Sequence, residues 1–342
     1  MHIPRSPLLE LPLEIREQIY RCLLNPQANR RKLPEQYSRY DYSRTLVLYR
    51  LNRQIYQEAQ KIFRSLNTFI LVETPWLEAQ HHVAVDGRVP ILATGQQAAG
   101  FKQHTMTAAI TAPHYPYSPE DVRQFVILLD DLDAFCNMWR YSDLSHPGLN
   151  NHLMLELRFQ DPQIRAEWEE PLIPRNIQAA LLQPFGMIKN LGDLQVTGTP
   201  APYQSLVKDL RAAMLVPSES PESCLRNATK FKDEGNVALQ AARYTEALDL
   251  YSQAWLAMHI IVLGRSRQIH ADAYFNKLLD EAPFEGQSGH TVRLTLRVKL
   301  VANTVLAYLK MEEPQVGHIW ANSHHYQASL SCALFSSSHV PL

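Results

Sequence analysis

Three arrangements in this 342-residue chain bring together residue types that could do chemistry. Asp130, Asp131 and Asp133 cluster in a stretch whose spacing predicts a helix over 119–141. Such acids could form a catalytic or metal site, but acids one and three apart cannot all meet on one helical face, which points to a solvated face. His81–His82 and His324–His325 are of metal-ligand type. Adjacent histidines point apart, and no Cys or His partner stands at zinc spacing. Gly286-Gln287-Ser288-Gly289-His290 is one residue short of a nucleophile elbow and follows no strand. No glycine-rich loop that would cradle a phosphate is present. The reading therefore assigns no catalytic, cofactor-binding or metal residue and expects a non-enzymatic protein. An enzyme of unrecognised type stays as an alternative that needs a deep pocket with convergent titratable groups.

Composition limits the partners. Hydrophobic residues make up 46% of the chain, enough for sizeable cores, and the length suits two domains. Net charge is −1 with the signs interspersed, and Arg30, Arg31 and Lys32 form the one compact basic run. Nucleic-acid and membrane-surface roles are thus not expected. Cys22, Cys136, Cys224 and Cys332 are far apart, which fits a reduced, intracellular compartment, cytoplasmic or nuclear. There is no apolar signal core and no run approaching a membrane span.

The elements that would position any site follow from periodicity. A helix is expected over 7–24, with Pro12 in its first turn and Ile15, Ile19, Leu23 and Leu24 as its apolar stripe; Asn25-Pro26 ends it. A second helix over 46–69 turns Leu48, Leu51, Ile55, Ala59, Ile62 and Phe63 inward. Then come a strand at 67–72, a loop at 81–103, a strand at 104–111, the helix at 119–141, a strand at 152–159, a helix at 174–188, a strand at 194–197 and a helix at 202–215. That order predicts a βα-type domain with a largely parallel sheet. The Pro/Ser-rich stretch 216–223 reads as a linker.

Two helical patterns follow in 224–258, with small residues at Gly235, Ala238, Ala247 and Ala254 facing the partner helix. They predict a closely packed antiparallel hairpin. Beyond it, 257–274 extends a helix, 280–290 is a loop, 291–310 is a helix, and about 315–329 would be its partner.

Leu-Pro-x-Glu-Ile-Arg-x-x-Ile-Tyr from Leu11, together with the Asn-Arg-Gln-Ile-Tyr-x-Glu-Ala helix from Asn52, resembles F-box-like domains, most closely the set abundant in filamentous fungi. In F-box proteins this helix pair docks on the small adaptor subunit of a cullin-type ubiquitin ligase. The resemblance implies that Leu8, Leu9, Leu11, Pro12, Ile15 and Ile19 make that contact, through an exposed apolar helix face. The other reading is that the same leucines cap the protein's own core.

Lys-x-x-Gly-Asn, a Tyr, then Glu-Ala-x-x-x-Tyr-x-x-Ala resembles the first motif of a tetratricopeptide repeat, with Gly235, Tyr244, Ala247, Tyr251 and Ala254 at its small and aromatic positions. His259 stands where that family has a late proline, and Val305 replaces a small residue in the second repeat. Chaperone-binding members clamp a terminal carboxylate with a Lys and two Asn. The resemblance places that clamp at Lys232, Asn236 and Asn303. Lys232 and Asn236 are four apart, on one helix face, and supply charge and amide donors. A solvated helix face is the alternative.

The fold expected is thus an F-box-like α/β domain over 1–215, a linker at 216–223 and an all-α tetratricopeptide-like domain over 224–342. The function expected is a protein-interaction adaptor that recruits substrates to a ubiquitin ligase. The alternative is a scaffold that binds acidic chaperone C-termini.

Overall fold

Pro12 divides the first predicted helix in two. The computed structural model describes residues 7–34, 37–115, 118, 121–162, 169–263 and 266–311. It begins with α1 (Pro7–Glu10) and α2 (Leu13–Leu24), and Pro12 takes φ −54° and ψ 150° between them. A proline disfavours helical backbone at the residue before it, so the helix restarts rather than running through. Asn25 caps the short α3 (Pro26–Asn29) by accepting from the Gln27 N–H. The stretch after it carries an antiparallel hairpin of β1 (Arg30–Lys32) and β2 (Ser38–Tyr40). The second predicted helix is also divided. A 3-10 turn at Leu46–Arg50 precedes α4 (Arg53–Leu66), because Asn52 is extended at φ −164° and its side chain accepts from the Ile55 N–H at 2.8 Å. Ile55, Ala59 and Ile62 of α4 pack with Tyr20 and Leu24 of α2.

These elements belong to the first of two units, Met1–Arg140 with Asn150–Val216; the second is Tyr141–Leu149 with Pro217–Leu342. The first unit continues through β3 (Phe69–Thr74), α5 (Ala79–Val85), β4 (Ala93–Thr94), α6 (Gly95–Ala99), β5 (Met106–Thr111) and β6 (Arg123–Leu128). Then follow α7 (Leu132–Ser145), whose last turn from Tyr141 belongs to the second unit, and β7 (Met154–Gln160), α8 (Arg175–Leu182), β8 (Asp193–Thr199) and α9 (Gln204–Leu215).

The six strands pair in the order β4-β6-β3-β5-β7-β8. Only β3–β5 and β7–β8 are parallel; β3–β6, β4–β6 and β5–β7 are antiparallel. The largely parallel sheet expected from the sequence is therefore corrected to a mixed one. The cause is 123–128, read as the start of a helix. Phe125, Val126, Ile127 and Leu128 are all buried. A continuous apolar run fits a buried strand as well as a buried helix, so spacing alone does not separate them. The loop expected at 81–103 likewise holds α5, β4 and α6.

The sheet has two unlike faces. Cross-strand register puts Ile70, Met106, Ile127 and Phe159 on one of them, and Val72, Ala108, Phe125 and Leu157 beside these. Phe125 meets Phe135 of α7 edge-on at 6.4 Å. The other face aligns Gln124, Glu73, Glu156 and Gln195, then Thr107, Arg158 and Thr197.

In the second unit, α10 (Pro221–Gln240) and α11 (Tyr244–Ala257) form the expected antiparallel contact. Gly235 is required there: a Cβ on it would stand 2.5 Å from Tyr251 Cε1. The unit is not all-α, which corrects the fold class. Where a helix was expected over 257–274, β9 (Ile260–Leu263) and β10 (Ser266–Ile269) form an antiparallel hairpin, followed by α12 (Asp272–Phe275) and α13 (Gly289–Lys310). His259 ends α11 in the left-handed region at φ 55°, and the β-branched Ile260, Ile261 and Val262 then favour a strand. Arg293 of α13 holds the hairpin, donating to the Met258 and His270 carbonyls at 2.7 and 2.6 Å and to Asp272 at 2.6 Å. The partner helix expected at 315–329, His324–His325 and Cys332 lie outside the described residues. No helix among the described residues is long and apolar enough to cross a membrane.

Candidate functional site

The α2 helix buries an arginine beside two core hydrophobics. Its buried positions four apart are Arg16, Tyr20 and Leu24. Arg16 is only 7% exposed, while Leu11, Ile15 and Leu23 are 37%, 41% and 39% exposed. Ile15 and Leu23 of α2 thus face solvent, as does Leu11 just before it, while the helix buries an arginine; at these positions the usual arrangement is reversed.

An ion-pair network from α4 makes the inversion stable. Arg16 Nε and Nη2 donate to Glu58 Oε2 and Oε1 at 2.9 and 2.6 Å, a two-pronged contact that fits the planar guanidinium. Tyr20 Oη donates to Glu58 Oε2 at 3.0 Å, and Gln54 Nε2 donates to Glu58 Oε1 at 2.9 Å. The hydrogen bond from Arg16, with those from Gln54 and Tyr20, holds the Glu58 carboxyl down at about 2 against its burial. Burial, then the bond to Glu58, pushes the Tyr20 phenol up to about 12. With the Arg16, Tyr20 and Glu58 polar groups paired, α2 is tied to α4 in this rotation, and Ile15 and Leu23 face outward.

Of the six residues expected to contact a ligase adaptor, Leu11, Pro12 and Ile15 are exposed and Ile19 is half-buried. Leu8 and Leu9 are half-buried and pack against the α2–α4 core. The two sequence readings of this stretch thus divide it: Leu8 and Leu9 serve the core, and Leu11, Pro12 and Ile15 are presented to solvent.

The three residues of the expected clamp are distributed on α10 and α13. Asn303 Nδ2 donates to Asn236 Oδ1 at 2.6 Å, and Tyr251 Oη donates to the same oxygen at 3.0 Å. Lys232 lies one turn before Asn236, with its ammonium 2.5 Å from Asp233 and its side chain 13% exposed. The two asparagines therefore come together, while the lysine is engaged by its neighbour.

The other chemical candidates disperse. Asp131 is buried and paired with Arg30 at 3.0 Å and the Tyr40 hydroxyl at 2.7 Å, whereas Asp130 and Asp133 are exposed. His82 pairs with Asp86 on its own helix, and His81 is exposed. Among the described residues no group of three His, Cys, Asp or Glu could hold a metal ion.

The sequence reading passed over one constellation, the polar face of the sheet. Glu73, His104, Thr107, Gln124, Arg158 and Thr197 line an open cleft of about 480 Å³ there. The alternation through Glu156, Arg158 and Gln160 was visible, but nothing local says which strands bring partners beside them. Comparison with protein-family profiles, curated proteins and solved structures finds no match for the chain.

Proposed function

We propose that the protein is a non-enzymatic interaction adaptor whose F-box-like helices bind the small adaptor subunit of a cullin-type ubiquitin ligase. The observation that carries this reading is the outward aliphatic pair of Leu11, just before α2, and Ile15, on the helix that Arg16 and Glu58 tie to α4. Exposed apolar side chains at the tip of a rigid helix suit a protein partner better than solvent. An intracellular location, cytoplasmic or nuclear, belongs to the same reading and rests on the widely spaced cysteines.

The test is direct binding of the purified ligase adaptor subunit to wild type and to Leu11→Asp/Ile15→Asp, each confirmed folded by circular dichroism. Binding that is lost with the double variant supports the reading. A folded wild type that does not bind the subunit overturns it.

The alternative reading is a scaffold for acidic chaperone C-termini, favoured by the Asn236–Asn303 contact. It requires Lys232 to exchange Asp233 for the carboxylate of the peptide. Lys232→Ala weakens binding of an acidic C-terminal peptide if this reading holds and leaves it unchanged if it does not.

A further inference from the structure

The cleft on the polar face of the sheet is built from five strands' worth of register, not from a single loop. Glu73 of β3 stands at its centre. Its Oε1 accepts from Gln124 Nε2 of β6 at 2.8 Å and its Oε2 from Arg158 Nη2 of β7 at 2.8 Å. Both carboxylate oxygens are thus engaged. Glu156, beside the lining on the same face, makes a longer ion pair with Arg158 Nε at 3.7 Å and accepts from Thr197 Oγ1 at 3.5 Å.

Neutral polar groups line the cleft beside the Glu73–Arg158 ion pair. His104 is buried, and its Nδ1 lies 2.9 Å from the Phe101 carbonyl, so that nitrogen carries the hydrogen. Nε2 then accepts from the Thr107 hydroxyl at 3.1 Å. Burial pushes the His104 pKa down, which keeps the ring neutral near neutral pH. Gly198 forms part of the wall at φ +128°, and a Cβ there would fall 2.2 Å from the Phe159 carbonyl oxygen.

Two cationic side chains and threonine hydroxyls line this cleft. The lining holds two cations, Arg158 and Lys102, against one carboxylate already occupied on both oxygens. Lys102 is exposed, and among the described residues its Nζ reaches the Ala99 carbonyl at 3.4 Å. Thr197 and Thr199 add hydroxyls at the β8 rim. A planar guanidinium beside an ammonium and hydroxyl donors matches a group with several anionic oxygens.

We propose that this cleft binds a small molecule bearing an oxyanion, a carboxylate or a phosphate, with Arg158 and Lys102 as its anchors. Glu73 pairs with Arg158 and competes with the ligand for it. The volume of about 480 Å³ suits a small metabolite rather than a folded partner. This site is independent of the α2 surface.

The competition makes the proposal testable in both directions. Citrate and pyrophosphate are titrated calorimetrically into the full chain, wild type and Lys102→Gln, Arg158→Gln and Glu73→Gln, at fixed ionic strength. Binding should weaken about tenfold or more in the first two variants and tighten roughly threefold in the third, where the hydrogen bond to Gln124 is kept but the competing charge is gone. Preference for citrate assigns the carboxylate, and preference for pyrophosphate the phosphate. Lys102 is exposed and its substitution leaves the fold intact, so the test survives even if Arg158→Gln fails to fold. If neither probe binds folded wild type, or if Lys102→Gln and Glu73→Gln both leave the affinity unchanged, the proposal is wrong.

Discussion

Asn303 of α13 and Asn236 of α10 share a hydrogen bond of 2.6 Å, and the accepting oxygen also takes the Tyr251 hydroxyl of α11. Three helices therefore meet at one amide. In a double-mutant cycle, Asn236→Ala and Asn303→Ala should cost less together than the sum of the singles, with a coupling of about 1 kcal/mol by urea denaturation. Strict additivity would mean the contact contributes nothing to stability.

Acid should loosen the α2–α4 pair. The Glu58 carboxyl lies at about 2 in the folded chain against an ordinary 4.5. A depressed folded value means its contribution is fully present above the ordinary value and is lost as pH falls toward the folded one. The melting temperature should drop by roughly 5 °C between about pH 5 and pH 2.5 from this group. Glu58→Gln should start lower at neutral pH and lose less on acidification. Parallel pH curves for wild type and variant would remove Glu58 from the account.

Gly235→Ala should destabilise the second unit by about 1–3 kcal/mol, because the new methyl group would collide with the Tyr251 ring. Combining it with Tyr251→Leu should cost less than the two changes summed, since the smaller side chain vacates that space. The readout is the urea midpoint of each variant.

Asn52→Ala should cost about 1 kcal/mol, the usual loss when a helix N-cap side chain is removed. Asn52→Asp keeps an acceptor for the Ile55 N–H and should lose much less. Equal losses would show that the cap bond is not the reason for this residue.

Some of this architecture is legible in the residues and some is not. The alternation in β7 and the small residues between α10 and α11 declare a strand and a close helix pair locally. The run Phe125–Leu128 does not, since a stretch buried on both sides has no period to read. His259 hides the end of α11: its left-handed backbone is a local conformation that spacing does not report. At α2 the periodicity turns Ile15, Ile19, Leu23 and Leu24 inward together, but only Leu24 is buried in the core while Ile15 and Leu23 are exposed. The residue that turns the helix the other way, Glu58, lies 42 positions from Arg16. The sheet cleft is hidden for the same reason, because Glu73 and Arg158 are brought together only by strand order.

The exposed aliphatic side chains at α2 also bear on how the protein persists in a cell. Leu11, Ile15 and Leu23 are in contact with water in the isolated chain. Surfaces of that kind are what chaperones and proteases survey, and a bound partner withdraws them from survey by mass action. The half-life of this protein should therefore follow the abundance of whatever covers α2, so that its level reports on its partner as much as on its own synthesis.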